Sequence, residues 1–253
     1  GQAAREGEDQ LIADTMILFS INREQKTLTM TSFMRDMRLV WPEFIDKDGK
    51  KHTGNNRINM AYNMGSRWRG DATGGMDLLS SIIEYNFGVP VDHAVEVNFD
   101  LFIQAIDTLG GVSIPLRQDE AEVINRNTGS TLSEGTHLLN GEQALAYSRI
   151  RTLDKDGDFS RTDRQRKVMN ALVDSYRDAQ LPVLLKLLKQ LLPMLSTDMT
   201  ESRLLMLALE VFPMLPGLET ASQSIPAPGS CRDETINGMA VLVPDMEDAR
   251  ERL

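Results

Sequence analysis

The sequence is short of the residues on which several classes of protein depend. Cys231 is the only cysteine, so an internal disulfide is excluded, and cysteine usage gives no indication of the compartment. The three histidines, His52, His93 and His137, have no metal-ligand spacing, which argues against a zinc enzyme. Gly-x-Ser-x-Gly and P-loop motifs are absent as well. The common serine-hydrolase and nucleotide-hydrolysing classes are therefore not indicated.

Long hydrophobic runs and an excess of positive charge are missing too. The longest apolar run, residues 181–195, is interrupted by two prolines, two lysines and a glutamine, so it does not predict a transmembrane helix. With 37 acidic and 27 basic residues, the chain has a formal net charge of −10. Nucleic-acid binding usually needs a broad basic face, so we predict no nucleic-acid partner.

The composition of the chain is that of an ordinary globular protein. Its 253 residues are 41% hydrophobic and 25% charged, which is enough to bury a core, and no linker or repeat divides the chain. We therefore predict a single domain over residues 1–253. Strand and helix patterns alternate along the chain, as in an α/β or α+β sandwich.

The hydrophobic periodicity and turn residues predict the following elements. Strands are expected at 15–21, 27–33, 94–97, 112–115 and 237–244, with the first two forming a hairpin. Helices are expected at 74–87, 99–109, 119–127, 141–147, from 163 onward, after Pro182, at 200–212 and at 245–253. Loops are expected at 1–10, 46–56 and 128–140.

The most informative feature is a cluster of arginines in an otherwise acidic chain: Arg149, Arg151, Arg161, Arg164 and Arg166. A guanidinium is permanently charged and presents a planar fork of donors that suits phosphate. Such a cluster indicates one localised anion site. The alternative is a solvated helix face whose arginines pair with the nearby aspartates, and composition alone gives the two interpretations equal weight.

The spacing of these arginines favours a shared site. Arg149 and Arg151 alternate on a segment that we predict to be extended, so they would point to the same face. Arg161, Arg164 and Gln165 have the i,i+3 and i,i+4 spacing of one helix face near its N-terminus, where free N–H groups also favour negative charge. We expect both groups to meet in one pocket.

Further charged side chains lie at the ends of predicted strands: Asp14, Arg35 with Asp36, and Arg57. Strand ends at one sheet edge are a usual place for a site. A carboxylate beside arginines indicates either a Mg²⁺ ligand or an orienting salt bridge. Taken singly, each of these residues is better explained by a structural role than by a functional one.

Seven segments, taken together and in order, resemble the LytR-CpsA-Psr phosphotransferases of bacterial cell envelopes. They are residues 13–18, 31–36, 56–62, 97–100, 107–112, 139–151 and 157–166. No single segment would be specific. The resemblance implies a three-layer α/β/α sandwich with a central mixed sheet. It also implies transfer of a phosphoglycosyl polymer, of teichoic acid or capsule type, from a polyprenyl-pyrophosphate carrier to peptidoglycan.

The same resemblance implies a location on the extracytoplasmic face of the bacterial membrane. Family members are held there by an N-terminal membrane helix, and we expect that helix and the family's first strand to be missing from residues 1–253. The resemblance also assigns Mg²⁺, or Mn²⁺, to Asp14. A second metal-binding aspartate is expected where Ala3 stands, so the affinity for metal is expected to be reduced.

Further site residues are implied by the resemblance, position by position. Catalytic arginines are assigned to Arg35, Arg149, Arg151, Arg161 and Arg164. Substrate-binding positions are Arg57 and Gln165, with Asp36 and Asp158 orienting the arginines.

A polyprenyl tail needs an apolar cleft, and the helical segments after residue 163 could supply one. We expect it to be lined by Val168, Leu172, Tyr176, Leu184 and Leu188, although ordinary core packing is the better explanation for any one of them. Two other functions stay open: a pyrophosphatase that releases the lipid phosphate to water, and a non-catalytic binder of polyprenyl-phosphate-linked glycopolymer, which the alanine at position 3 favours.

Overall fold

The computed structural model describes residues 2–3, 12–177 and 181–253. Its strands are β1 Gln2–Ala3, β2 Ile12–Ala13, β3 Met16–Asn22, β4 Thr27–Phe33, β5 Arg38–Ile45, β6 Lys51–Arg57, β7 Val95–Glu96, β8 Val112–Leu116, β9 Gly135–Leu139, β10 Ser196–Thr197, β11 Glu219–Ile225, β12 Cys231–Ile236 and β13 Met239–Pro244. Its α-helices are α1 Ala61–Arg69, α2 Ala72–Phe87, α3 Phe99–Thr108, α4 Gln118–Thr128, α5 Gly141–Ser148, α6 Asp158–Arg177, α7 Leu181–Leu191, α8 Glu201–Val211 and α9 Met246–Glu251. Short 3-10 turns lie at Ile58–Met60, Leu192–Met194 and Phe212–Gly217.

A mixed sheet of order β11-β4-β3 lies at the centre of the fold. Strands β3 and β4 form the predicted antiparallel hairpin, and β11 runs parallel to β4 on its other side. Because side chains alternate across a strand, Leu28 and Met30 of β4 point to one face and Phe33 to the other. Both faces of the sheet are therefore apolar and must be covered.

Helices cover the two faces. Phe33 packs in one core with residues of α1 and α2, whereas Leu28 and Met30 pack against Met169 and Val173 of α6 and the turn Phe212–Gly217. This arrangement confirms the α/β/α sandwich. Within the described part of the chain, no helix combines the length and the apolar character needed to cross a bilayer.

Helix α6 is shared by two cores. Val168 packs into a second core formed with α3, α4, α5 and the β8–β9 hairpin, while Met169 packs into the core on the sheet. This double packing fixes both the position and the rotation of α6. The arginines near the start of that helix are therefore held on a rigid element.

Three expected loops contain strands. Residues 46–56 overlap β6, which pairs with β5, and residues 128–140 contain β9, which pairs with β8. These strands lie in two-stranded hairpins with mostly exposed side chains, so they lack the apolar alternation that predicts a strand. In the expected loop 1–10, residues 2–3 form β1, and the remaining residues lie outside the described part of the chain.

Candidate functional site

The charged side chains singled out above come from separate segments that meet beside one end of the sheet. Asp14 precedes β3 and Arg35 follows β4, and these antiparallel strands bring the two together. Arg151 follows α5, and Arg161 lies in the first turn of α6. The chain trace alone therefore places four distant segments around one point.

An alternating chain of arginines and aspartates links these segments. Arg57 Nη1 donates to Asp36 Oδ1 at 3.1 Å, and Arg35 Nε donates to Asp36 Oδ2 at 3.2 Å. Arg35 Nη1 also donates to Asp14 Oδ1 at 2.8 Å, and Arg151 Nη2 lies 3.5 Å from that same oxygen. With Arg161 and its partner Asp158, the network has four arginines and three carboxylates, so its net charge is positive.

Arg161 is the buried end of this network, with a residue exposure of 2%. Its Nη2 donates to Asp158 Oδ2 at 2.9 Å and to the Asp14 carbonyl at 3.3 Å. Its Nε and Nη1 are buried and have no hydrogen-bond partner among the described residues. Burial, with repulsion from Arg151 and Arg35, lowers the pKa of Arg161 to about 10. A buried cation with two unused donors fits an anionic ligand.

The backbone conformation of Arg149 differs from the one that the sequence predicts. It caps α5 with φ −98° and ψ −3°, so it lies in a turn and not in the extended segment that we predicted. The reason is that α5 continues as far as Ser148 and its last carbonyls accept from the Arg149 N–H. The Arg149 guanidinium lies 5.1 Å from the centre of the Phe99 ring, a cation–π contact.

A cavity of about 540 Å³ opens beside these arginines. Its charged and amide lining side chains are Asp14, Asn98, Arg149, Arg151, Arg161 and Gln165. The apolar part of its lining comprises Ile17, Phe19, Val95, Val97, Phe99, Leu101, Phe102, Ala105, Ile106, Leu145, Met169, Leu172, Leu188, Leu191 and Leu195. The cavity thus combines a small cationic region with a much larger apolar one.

The polar and apolar regions lie at opposite ends. Along α6, the lining residues change from Arg161 and Gln165 to Met169 and Leu172, which is about 16 Å at 1.5 Å per residue. Along the chain entering β3, the lining changes from Asp14 to Phe19, about 16 Å at the rise of a strand. Two independent elements therefore indicate the same length and direction. An elongated amphiphile with one anionic end fits this shape.

Only part of the expected lipid pocket lines this cavity. Leu172 and Leu188 do, whereas Val168 is fully buried in the α3–α5 core. Tyr176 and Leu184 are not among the described lining residues, and burial raises the pKa of Tyr176 to about 12. Helical periodicity identified an apolar stripe but could not show which side of α6 faces the core.

Other lining residues were missed by the sequence analysis. Ile17 and Phe19 of β3 alternate toward the cavity, and α3 contributes Phe99 and Phe102. The alternation of Ile17 and Phe19 was a usable signal, but a strand next to a cavity has the same pattern as a strand next to a core.

Arg164 does not line the cavity. It is 2% exposed, its Nε donates to Glu120 Oε1 at 2.8 Å, and its Nη2 donates to Asp154. Burial alone would lower the pKa of Arg164, but the hydrogen bonds with Asp154 and Glu120 raise it above the ordinary value. Arg35 and Arg57 also lie outside the lining: Arg35 pairs with the lining residue Asp14, and Arg57 is linked to Arg35 through Asp36. Sequence spacing thus found the cluster without separating the residues that face the cavity from those behind it.

The residues present fit a divalent metal only in part. Among the described residues, no group of three or more His, Cys, Asp or Glu side chains is placed to hold a metal. Residue 3 pairs with Ile12, on the strand that leads to Asp14, but an alanine side chain offers no ligand atom. Mg²⁺ is commonly held by one or two carboxylates plus substrate phosphates, so Asp14 would need a bound phosphate to complete the set.

Comparison with known proteins identifies relatives that are named as cell-wall enzymes. The chain is 35% identical over 169 residues to polyisoprenyl-teichoic acid--peptidoglycan teichoic acid transferase TagV of Bacillus subtilis, covering 66% of this chain and 39% of that protein. It is 33% identical over 174 residues to the TagU transferase of Halalkalibacterium halodurans, covering 68% and 50%. The matched part thus spans half or less of these relatives.

Solved structures show the same fold over nearly the whole chain. TagT bound to LIIa-WTA superposes with a TM-score of 0.72 at 26% identity, covering 97% of this chain and 84% of that one. The LytR-CPS2A-psr family protein YwtF (TagT) with bound octaprenyl pyrophosphate lipid gives a TM-score of 0.67 at 26% identity, covering 96% and 82%. The LytR_cpsA_psr family model matches residues 1–251, and the chain therefore belongs to that family.

Proposed function

We propose that this chain transfers a phosphoglycosyl polymer from a polyprenyl-pyrophosphate carrier to peptidoglycan on the extracytoplasmic face of a bacterial membrane. Arg161 supports the proposal most strongly, because it lines the polar end of an apolar cavity and its buried Nε and Nη1 have no hydrogen-bond partner among the described residues. A lipid diphosphate has complementary parts: an anionic head for the arginines and an isoprenoid tail for the apolar lining.

The relatives support this assignment. TagV and TagU are named as transferases that join teichoic acid to peptidoglycan, and a TagT structure holds octaprenyl pyrophosphate. Teichoic acid is therefore the favoured class of polymer.

The reaction is an in-line displacement at phosphorus. The acceptor hydroxyl oxygen attacks the phosphorus that carries the glycopolymer, and the bond from that phosphorus to the bridging oxygen breaks. The hydroxyl proton passes to solvent, and polyprenyl phosphate leaves. Charge accumulates on the phosphoryl and leaving oxygens, so the fixed positive charges of Arg149, Arg151 and Arg161 stabilise the transition state without a covalent intermediate.

The remaining charged residues hold this arrangement in place. Arg35 holds Asp14 and Asp36, Asp158 holds Arg161, and the Gln165 amide lies 3.5 Å from the Ser148 carbonyl below the Arg149 turn. These fixed contacts mean that the cationic end does not need to reorganise when the substrate binds.

In this proposal Asp14 would hold Mg²⁺ when substrate is bound, and the metal would neutralise phosphate charge. Dependence on Mg²⁺ is tested by titrating the metal with the wild type and with Asp14→Asn. A parallel Mg²⁺ titration measures binding of the substrate under conditions in which it is not turned over. We expect Asp14→Asn to raise the Mg²⁺ concentration needed for half-maximal binding. An unchanged requirement would remove Asp14 as the ligand.

The function itself is tested with purified chain, polyprenyl-pyrophosphate-linked glycopolymer and peptidoglycan. We expect polyprenyl phosphate to be released and polymer phosphorus to become covalently attached to peptidoglycan. Release of polyprenyl phosphate without attachment would identify a pyrophosphatase, and binding without release would identify a non-catalytic binder. Either result would contradict the proposed transferase.

A further inference from the structure

A buried ion-pair cluster lies directly behind the cavity arginines. It consists of Arg164 on α6, Glu120 on α4 and Asp154 in the segment between α5 and α6. Arg164 and Glu120 are almost fully buried, with residue exposures of 2% and 4%. Burying a cation and a carboxylate together is costly unless their hydrogen bonds are well formed, so such a cluster must be tightly fitted.

Each guanidinium nitrogen of Arg164 has an acceptor. Nε donates to Glu120 Oε1 at 2.8 Å, Nη2 donates to Asp154 Oδ2, and Nη1 donates to the Ile150 carbonyl at 3.4 Å. The third contact matters most for the cavity, because Ile150 lies between the two lining arginines, Arg149 and Arg151. Arg164 thus hydrogen-bonds to the backbone segment that carries Arg149 and Arg151.

The carboxylates connect this contact to the rest of the fold. The second oxygen of Glu120 accepts from the backbone N–H of Arg117 at the start of α4. The Arg117 side chain donates to Asp154 Oδ1 at 2.9 Å. Asp154 is therefore held from both sides, and the segment 149–154 is fixed to α4 and α6 at once.

We propose that Arg164, Glu120 and Asp154 are positioning residues that set the placement of Arg149 and Arg151 in the cavity. Arg164 does not contact the substrate in this assignment, since its three nitrogens already have acceptors and its side chain does not line the cavity. The inference rests on the proposed phosphotransfer for its kinetic consequence, but its structural part can be measured without any substrate.

The structural part is tested by amide exchange in Arg164→Lys and Glu120→Gln. A lysine cannot reach three acceptors, and a glutamine keeps the shape of glutamate but removes its charge. The informative amides are Ile150 and Gly157, which donate to the Tyr147 and Asp154 carbonyls at 3.2 Å each. We expect exchange to accelerate over residues 149–157 while α2 and the sheet keep wild-type exchange.

The kinetic part is measured on the same variants. A misplacement of about 1 Å can reduce a rate about 100-fold, so we expect kcat to fall on that order while KM for the lipid-linked substrate changes far less. Asp163→Asn is the matched control. Asp163 lies next to Arg164 on α6 but pairs with Arg166 and Lys167 at the surface, and its loss should change neither exchange nor rate.

Two results would overturn the proposal. One is wild-type exchange over residues 149–157 in folded variants, whatever their activity, because the turn would then not depend on Arg164. The other is accelerated exchange with unchanged kcat. If the two buried substitutions prevent folding, Asp154→Asn, at the more exposed side of the cluster, provides the same two readings. Absence of transfer by the wild type would contradict the proposed function and leave the exchange result decisive for positioning.

Discussion

Arg161 and Arg164 lie one turn apart on α6 and are equally buried, yet they are satisfied to different degrees. Arg164 has an acceptor for each guanidinium nitrogen, whereas Arg161 has two nitrogens without a partner among the described residues. The difference explains why burial lowers the pKa of one while ion pairing raises the pKa of the other. We interpret Arg161, whose donors are not all used, as the arginine that binds the ligand.

Arg161→Met is the residue-scale prediction for binding. Charge-assisted hydrogen bonds contribute about 1.5–3 kcal/mol each, so losing two should weaken binding of polyprenyl diphosphate by about 100-fold or more. Stability of the ligand-free protein should fall little, because an incompletely paired buried charge is removed. Calorimetric titration and denaturant unfolding measure the two quantities.

Arg166→Met is the matched control for that experiment. Arg166 is partly buried, its buried Nη1 has no hydrogen-bond partner among the described residues, and burial lowers its pKa, but it does not line the cavity. The substitution should leave lipid affinity at the wild-type value. Equal losses of affinity in the two variants would mean that α6 had shifted as a whole and would refute a specific role for Arg161.

Asp154→Asn tests the buried cluster through pH. Hydrogen bonds from Arg117 and Arg164 lower the pKa of Asp154, so its carboxylate stabilises the folded state above the ordinary aspartate pKa. That contribution is lost as the pH falls through the lowered folded-state value. We expect the variant to be less stable than the wild type by about 1–3 kcal/mol at pH 7, with the difference disappearing well below pH 4. The measurement is urea unfolding of both proteins from pH 7 to below pH 4. A stability difference that stayed constant over this pH range would contradict the prediction.

At the scale of whole elements, predictability followed the strength of the apolar pattern. The β3–β4 hairpin and helices such as α2 and α3 were predicted within a few residues, because their buried faces repeat along the sequence. Strands β6 and β9 were missed because they are held by backbone pairing with β5 and β8 and have no buried apolar face that the sequence would reveal. Strand β5 and the β11–β12 region were missed too, although β11 completes the central sheet.

The α1–α2 pair gives an element-scale prediction for stability. A Cβ atom on Gly65 would collide with the carbonyl oxygen of Gly74, so the two helices can approach only through glycine. Gly65→Ala should destabilise the protein by about 1–3 kcal/mol, despite a helix-propensity gain of about 1 kcal/mol. Gly217→Ala is the control, since its nearest contact would be Lys26 Cδ at 3.7 Å. Equal unfolding free energies for both variants would contradict the close packing.

Helices α6 and α7 form part of the apolar wall of the cavity. We therefore expect a change in this wall to affect long and short isoprenyl tails differently. Leu172→Trp narrows the apolar end, so affinity for a long polyprenyl phosphate should fall about tenfold or more, since each buried CH₂ contributes about 0.8 kcal/mol. Affinity for a short isoprenyl phosphate should be retained. Leu138→Trp is the control, because Leu138 is 66% exposed and does not line the cavity. Similar losses for short and long tails would contradict the assigned direction of the cavity.

For the whole molecule, the sequence indicated the family and the charged end of the cavity better than it indicated the apolar part of the cavity. Asp14, Arg149, Arg151, Arg161 and Gln165 were selected from motifs and do line the cavity. Its apolar part is built from β3, β7, α3, α6 and α7, which are brought together by the tertiary fold, and no local pattern encodes that meeting. The two TagT structures share the fold of this chain at 26% identity.

In the proposed complex, one lipid diphosphate occupies the cavity with its head at the arginines. A crystal structure of the chain with a polyprenyl diphosphate tests this arrangement most directly. We predict phosphate oxygens within hydrogen-bonding distance of Arg161 Nε and Nη1, with the tail running past Met169 and Leu172 toward Leu188. A diphosphate bound away from Arg161, or a tail lying outside the cavity, would contradict the account.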